Sequence, residues 1–212
     1  MRASSIIAVL ALAGAFLAAS STVAGAQNIL EEWSSIKPPP PPALKEVTLD
    51  PKKTALISMD FNAKNCTPQQ RARCAAVIPR VQKLIADARA KGMVVAHTYT
   101  SSMEKSDIVK DVAPVEGEFI TSSRTDKFAG NDLDKRLKDK GIDTLVLVGT
   151  SANGAVMTTA IMAALRGFKV VVPIDTMPAD TAYQEQFAIW QIANGPGLRE
   201  AATVTRSDML KF

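Results

Sequence analysis

Short apolar segments alternate with longer amphipathic segments along the chain from residue 54 onward. The apolar segments are rich in Val, Leu and Ile, which is typical of buried strands. Between them, apolar residues recur at three- and four-residue steps, the period of an amphipathic helix. The pattern predicts strands at residues 54–59, 93–98, 119–121, 144–149, 169–173 and 202–205, and helices at residues 69–91, 132–140, 155–166 and 181–193, the last capped by Asp180.

This alternation predicts one class of fold. Strands separated by helices form βαβ units, whose crossovers produce a parallel sheet covered by helices. We therefore expect an α/β domain over residues 52–212, with a doubly wound, mostly parallel sheet and helices on both faces in a three-layer, Rossmann-like arrangement. Residues 99–118 carry few apolar anchors and are expected to form a long excursion from this framework.

The first 26 residues have the pattern of a secretory signal peptide. Arg2 precedes an apolar stretch from Ile6 to Ala19, and small residues follow up to Ala26. The apolar run is shorter than the roughly 20 residues that a membrane span needs. We therefore expect cleavage after Ala26, a periplasmic or secreted protein, and no stable membrane insertion afterwards.

A proline-rich arm follows the signal peptide at residues 27–51. Its consecutive prolines, Pro38 to Pro42, favour an extended polyproline segment. Such a segment serves as a spacer or as a strap, and the part that contains Trp33 and Ile36 is a candidate to pack on the domain or on a neighbouring subunit.

The formal net charge of +4 does not indicate a nucleic-acid partner. The 25 Lys and Arg residues are mixed with 21 Asp and Glu residues, no long basic run occurs, and aromatic residues make up 5% of the chain. A surface that binds phosphates needs clustered cations and stacking side chains. We therefore expect no nucleic acid among the partners.

Cys66 and Cys74 are the only cysteines of the chain. In an exported protein this even count suggests a disulfide that closes a small loop, and two buried thiols are the alternative. Two thiols and a single histidine are too few for a zinc site, which takes three or four protein ligands. We expect neither a metal nor a cofactor.

Candidate chemistry gathers where the predicted strands end. Parallel sheets of this type bind ligands beyond the carboxyl ends of their strands. Asp60 follows a buried strand, where an unpaired carboxylate is costly, so it is either paired or functional. His97 ends the next strand. The turn at residues 149–155 is rich in small residues and enters a helix, so its N–H groups form a candidate oxyanion cradle.

Three stretches together resemble the isochorismatase-like cysteine hydrolases. They are residues 54–60, 145–160 and 167–172, and residues 128–134 resemble the segment that follows this family's lysine. The resemblance covers roughly residues 52–206. It implies the α/β fold above, hydrolysis of a small molecule, a homo-oligomer, and a catalytic Asp, Lys and Cys beside a cis peptide.

Only one of the three catalytic side chains is carried over by the resemblance. Asp60 falls on the family's Asp, the Lys position falls at or near Ser122, and the Cys position falls on Ala155. The cis peptide falls on Thr150–Ser151, and the resemblance implies the N–H groups of Ser151 and Ala155 as oxyanion donors. Because a methyl group forms no acyl-enzyme, the covalent route is closed.

Two functions therefore compete. The first is an exported hydrolase that acts on a small amide, imide or enol ether by non-covalent acid/base chemistry, with Asp60 as the acid/base and Lys127 or Arg124 supplying the missing cation. The second is a catalytically silent protein that binds a small molecule on the same fold.

Several of these residues also have a purely structural interpretation. Lys127 and Arg124 are then solvent-facing loop charges, His97 is a structural residue and Asn153 is a helix cap. The candidate substrate contacts are Phe61, His97, Ser122, Arg124, Asn153 and Gly154.

Overall fold

The structure, a computed structural model, describes residues 28–212. The chain divides into two units, with the boundary between Pro40 and Pro41. The expected signal peptide lies outside the described residues. The described part of the first unit holds a one-turn helix, α1 (Ile29–Glu32), whose first N–H groups are capped by the side chain of Asn28. Within residues 28–212, no helix combines the length and the apolar character needed to cross a membrane.

The second unit contains the strands and helices that the hydrophobic pattern predicts, together with two short strands near its ends. Two single 3-10 turns, Lys105–Asp107 and Lys110–Val112, interrupt the long excursion. The strands are β1 (Val47–Thr48), β2 (Thr54–Met59), β3 (Val94–Thr100), β4 (Phe119–Ser123), β5 (Thr144–Gly149), β6 (Lys169–Pro173), β7 (Ala202–Thr205) and β8 (Leu210–Lys211), and the helices are α2 (Ala72–Ala90), α3 (Leu133–Asp139), α4 (Met157–Leu165) and α5 (Ala182–Asn194).

The main sheet has six strands in the order β4-β3-β2-β5-β6-β7, and all of its pairings are parallel. The chain builds outward from β2 to β4, returns to place β5 beside β2, and then builds outward in the other direction. This reversal makes the gap between the carboxyl ends of β2 and β5 the switch point where ligands bind in such sheets. The predicted doubly wound fold is confirmed.

Helices cover both faces of the sheet. The residues of β2 are all buried, and successive side chains enter opposite layers: Leu56 packs with α2, whereas Ile57 packs with α3, α4 and α5. A strand enclosed in this way has no solvated face, which explains why its sequence is an unbroken apolar run.

The chain that precedes β2 is attached to the C-terminal end of the unit. Thr205 Oγ1 donates to the Lys45 carbonyl at 2.6 Å, and Leu49 N–H donates to the Lys211 carbonyl at 2.8 Å. These bonds accompany the parallel pairing of β1 with β8. The C-terminal part of the expected arm is therefore a strap on the domain.

The start of α5 differs from the prediction. Thr181, not Asp180, is the N-cap: its side chain accepts the Gln184 N–H, and the Gln184 side chain accepts the Thr181 N–H in return. This reciprocal pair satisfies two N–H groups that the helix leaves open. Asp180 is instead free to pair with Arg71, at 2.7 Å.

Candidate active site

Asp60 lies directly after β2 and turns its carboxyl group toward the switch point. Its φ of 61° is in the left-handed region, which aspartate tolerates better than most residues do. Two bonds to β3 hold this conformation: the Asp60 N–H donates to the Thr98 carbonyl at 3.0 Å, and Thr98 Oγ1 donates to Asp60 Oδ1 at 3.0 Å. The first bond fixes the main chain of Asp60, and the second fixes its carboxyl group.

Lys127 supplies the cation beside this carboxylate. Its Nζ lies 2.6 Å from Asp60 Oδ2 and donates to the Arg124 carbonyl at 2.5 Å, and its side chain has no exposed surface. A buried ammonium needs partners of this kind, because its desolvation is otherwise uncompensated. Lys127 is therefore not a solvent-facing loop residue.

Burial and the lysine act in opposite directions on the proton affinity of Asp60. Burial raises the pKa of the Asp60 carboxyl, and the charge and hydrogen bond of Lys127 and the hydroxyl of Thr98 lower it without cancelling the effect of burial. The net result is a pKa above the usual aspartate range. A carboxyl group of this kind is suited to exchanging a proton with a bound molecule.

The turn after β5 forms the opposite wall of the site. At Gly149 a Cβ atom would lie 2.5 Å from the Met59 carbonyl oxygen, so only glycine lets the ends of β5 and β2 approach this closely. The next peptide, Thr150–Ser151, is cis, as the resemblance implied. A π-helical turn, Ala152–Val156, then leads into α4 and places Ala155 on the wall of the cleft.

Two N–H groups of this turn are the candidate oxyanion donors. Among the described residues, the Ser151 N–H has no acceptor. The N–H groups of Gly154 and Val156, on either side of Ala155, both donate to the Ser151 carbonyl, at 3.0 and 3.3 Å. The Ser151 hydroxyl is directed elsewhere, because it donates to Asn153 Oδ1 at 2.5 Å.

Arg71 joins this turn to the loop that follows β2. Its Nη2 donates to Thr150 Oγ1 at 2.7 Å while its Nε donates to Asp180. Cys66 and Cys74 form a disulfide with a Cα–Cα distance of 5.2 Å, which confirms the predicted bridge and closes the loop that carries Arg71. Sequence reasoning missed Arg71, although its place between two bridged cysteines just after the strand of Asp60 is a usable signal.

These elements line an open cleft of about 670 Å³ at the switch point. A volume of this size accommodates a small molecule. Polar side chains from the excursion after β3 and from the loops after β2 and β4 complete the wall. The cleft is lined by Asp60, Asn62, Asn65, Arg71, Thr100, Ser101, Ser102, Met103, Arg124, Thr125, Thr150, Ser151, Gly154 and Ala155.

The structure brings some of the predicted contacts to the cleft and not others. Arg124 and Gly154 line it, as expected. Phe61 does not, because its ring is buried in the core beneath α2. Ser122 is an exposed residue of β4 outside the cleft lining, and Asn153 serves the turn as the acceptor of the Ser151 hydroxyl.

His97 also lies away from the cleft. Neighbouring residues of a strand point to opposite faces, so Thr98 reaches Asp60 while His97 faces the α2 layer. There its Nε2 lies 2.9 Å from Glu118 Oε2, and Glu118 in turn binds Arg89. Its Nδ1 is buried without a partner among the described residues, and burial lowers the pKa of the imidazole.

The parallel sheet and its polar cleft define a doubly wound α/β domain with a candidate small-molecule site at the carboxyl edge of the sheet. The sequence model of the isochorismatase domain matches residues 54–208, which is more than half of the chain. The chain belongs to the isochorismatase family.

Individual relatives agree with this assignment. N-carbamoylsarcosine amidase from Arthrobacter sp. is 27% identical over 146 residues, 56% of this chain and 55% of that protein, so the match spans little more than half of the relative's length. Maleamate amidohydrolase from Pseudomonas putida is 28% identical over 149 residues, 57% of this chain and 70% of that protein. A secreted isochorismatase effector from Verticillium dahliae is 29% identical over 110 residues, 47% and 58% of the respective chains.

Solved structures share the fold. An isochorismatase-like hydrolase from Alkaliphilus metalliredigens superposes with a TM-score of 0.65 at 25% identity, covering 74% of this chain and 95% of that one. The two named amidases place hydrolysis of amides among the activities of relatives of this chain.

Proposed function

We propose that this protein hydrolyses a small amide, imide or enol ether by acid/base chemistry, without a covalent enzyme intermediate. The observation that carries the proposal is the buried pair of Asp60 and Lys127, whose aspartate lines a cleft opposite the methyl group of Ala155. The pair retains a proton donor and a cation. The missing thiol removes only the step that makes an acyl-enzyme.

For an amide, Asp60 serves as base and then as acid. The Asp60 carboxylate takes a proton from a water molecule as that water attacks the carbonyl carbon, and the carbonyl oxygen gains the negative charge. The N–H groups of Ser151 and Ala155 stabilise this charge. Asp60 then returns its proton to the departing nitrogen, so that a carboxylic acid and an amine are released and the enzyme is unchanged.

For an enol ether, protonated Asp60 acts first. It gives its proton to the alkene carbon, water adds to the resulting oxocarbenium ion, and the hemiketal collapses to a ketone and an alcohol as the proton is returned. The raised pKa of Asp60 favours this order, because the acid form persists to a higher pH than in an ordinary aspartate. Lys127 holds the carboxyl group in place in both reactions.

Turnover by the purified protein and by Asp60→Asn tests the proposal. A panel of small amides, imides and enol ethers is incubated with each, and products are quantified by mass spectrometry. We expect Asp60→Asn to lose at least about a hundredfold in rate, as for removal of a general acid/base. Asp208→Asn, which removes an exposed carboxylate beside Arg206, is the matched control. Equal rates in wild type and Asp60→Asn would remove Asp60 from the chemistry.

The second candidate is a silent binding protein. The methyl group of Ala155 at the nucleophile position favours it. A bound molecule would then raise the melting temperature and be recovered unchanged after long incubation. Its conversion to products would exclude this alternative.

We also propose export and self-association. The signal-peptide pattern supports export, and a secreted relative exists. Native mass spectrometry of protein recovered from the producing cells measures the start of the mature chain and the number of subunits together. A chain that retains residues 1–26 would contradict export, and a monomeric mass would contradict self-association.

A further inference from the structure

Arg124 is an exposed residue of the cleft wall, and its side chain has no charge partner among the described residues. Lys127 neutralises Asp60, and Asp180 neutralises Arg71. Among the described residues, no carboxylate lies within 4.0 Å of the Arg124 guanidinium and no side-chain hydrogen bond engages it, although Arg124 lines the same wall. The cleft therefore presents one cation in excess.

The main chain of Arg124 is fixed at the reacting centre. Its carbonyl oxygen accepts the 2.5 Å bond from Lys127 Nζ, and that ammonium holds Asp60. Arg124 and Asp60 line the same cleft, so a substrate that reaches Asp60 with one end can meet the Arg124 side chain with the other.

Asn62 adds a neutral donor to the same cleft. Its Oδ1 accepts the Lys64 N–H at 2.8 Å, and this bond fixes which end of the amide is oxygen. The Nδ2 group has no acceptor among the described residues, and Asn62 lines the cleft. The Asn62 Nδ2 group is therefore a second donor, beside Arg124, that the cleft offers to a ligand.

We propose that Arg124 recognises a carboxylate on the substrate, at the end opposite to the bond that is hydrolysed. A guanidinium offers two parallel N–H groups that match the two oxygens of a carboxylate. A phosphate dianion fits less well, because it brings two charges to a wall with a single unpaired cation. The inference rests on the proposed function for the hydrolysable bond, but the preference for a carboxylate is measured separately as binding.

Two amides that differ only in this group test the inference. Succinamate and butanamide have the same chain length, and succinamate carries a carboxylate where butanamide carries a methyl group. Dissociation constants are measured by isothermal titration for wild type, Arg124→Gln, Arg124→Lys and Arg199→Gln. Arg199 lies outside the cleft beside Glu200, so its variant removes an equal charge elsewhere.

We expect wild type to bind succinamate about tenfold or more tightly than butanamide, as for one charge-assisted pair. Arg124→Gln should reduce this ratio to near one, Arg124→Lys should retain part of it, and Arg199→Gln should leave it unchanged. The melting temperature of each variant verifies that it is folded. A wild-type ratio near one, a ratio that survives in Arg124→Gln, or no measurable binding of succinamate would overturn the inference.

Binding of inorganic phosphate and turnover of the two amides are measured as well. If phosphate binds as tightly as succinamate, the site accepts anions in general and the carboxylate assignment is wrong. If succinamate binds with the expected ratio but no amide, imide or enol ether is hydrolysed, the proposed function fails and the inference stands. If both amides are hydrolysed with equal kcat/KM and bind equally, the proposed function stands and the inference fails.

Discussion

Lys127 Nζ lies 2.6 Å from Asp60 Oδ2, and both side chains are buried. The two residues are far apart in sequence, and the lysine reaches the aspartate from the loop after β4. This pairing places a cation where the resemblance to the family left only Ser122. The pairing also affects the stability of the fold, because neither charge is stable in this buried position without the other.

Replacing Lys127 alone should destabilise the protein strongly. In Lys127→Met the ammonium is lost while the Asp60 carboxylate stays buried, which costs about 3–5 kcal/mol of unfolding free energy. In Asp60→Asn/Lys127→Met neither charge remains. The double variant should therefore lose clearly less unfolding free energy than the sum of the losses in the two single variants. Urea unfolding of the four proteins measures this coupling.

The matched control for this cycle is Lys135→Met, which removes a surface ammonium that pairs with Asp139. Exposed pairs of this kind contribute about 0–1 kcal/mol. Additive losses at Asp60 and Lys127, with no coupling free energy, would contradict the pairing.

A cysteine at position 155 should be a reactive thiol, because Ala155 is buried but lines the cleft. Both native cysteines are bridged, so iodoacetamide should leave wild-type activity intact. In Ala155→Cys the thiol lies in a cationic cleft at a helix start, and such surroundings lower a thiol pKa. We expect alkylation at pH 7 about tenfold faster than for Ala86→Cys, an exposed position on α2.

Intact-mass spectrometry over time gives both alkylation rates under native conditions. Slower labelling at position 155 than at position 86 would show that the cleft does not activate a thiol at this position. Loss of activity in alkylated wild-type protein would contradict the absence of a catalytic thiol.

The sequence predicts the fold better than it predicts the site, and Lys127 shows why. Strand and helix periods are local, so the bounds of β2, β5, β6 and β7 could be read directly. Which lysine reaches Asp60 depends on the path of the loop after β4, and the resemblance to the family places that lysine at or near Ser122 instead of at Lys127. His97 was misplaced by a single strand position, since Thr98 is the residue that faces the site.

Removing the disulfide should weaken the loop that carries Arg71. The Cys66–Cys74 bridge closes a loop with a sequence separation of 8, and restricting a chain of that length stabilises the folded state by about 2–3 kcal/mol. Cys66→Ala/Cys74→Ala should lower the denaturant midpoint accordingly. It should also raise KM more than it lowers kcat, because Arg71 shapes the cleft and does not exchange protons.

A chemical reductant provides the control for the double variant. Treatment with a phosphine should lower the stability of wild type to that of Cys66→Ala/Cys74→Ala and should leave the variant unchanged. Equal stability of wild type before and after reduction, with two thiols titrated, would contradict a stabilising role for the bridge.

Acid should destabilise the folded protein through His97. Burial lowers the pKa of this imidazole, so below about pH 6.5 the unfolded chain binds a proton that the native chain resists. Stability due to His97 is therefore present above that pH and is lost as pH falls through the native pKa. His97→Gln retains an N–H donor for Glu118 and does not titrate, so its melting temperature should fall less between pH 7.5 and pH 5.

The substitution removes the only histidine of the chain. The pKa of Glu118 is lowered on balance: burial raises it, and bonds from Arg89 and the Val115 N–H outweigh that effect. The contribution of Glu118 to folding stability is therefore also lost on acidification, but mainly at a lower pH than that of His97. The pH dependence of stability due to Asp60 has the opposite sign, because the pKa of its carboxyl is raised and its contribution to folding stability is lost as pH rises. Both carboxyl groups persist in His97→Gln, but His97 also lowers the pKa of Glu118, so the difference in slope is due to His97 together with its effect on Glu118. Parallel slopes would show that the imidazole is protonated in the native protein without penalty.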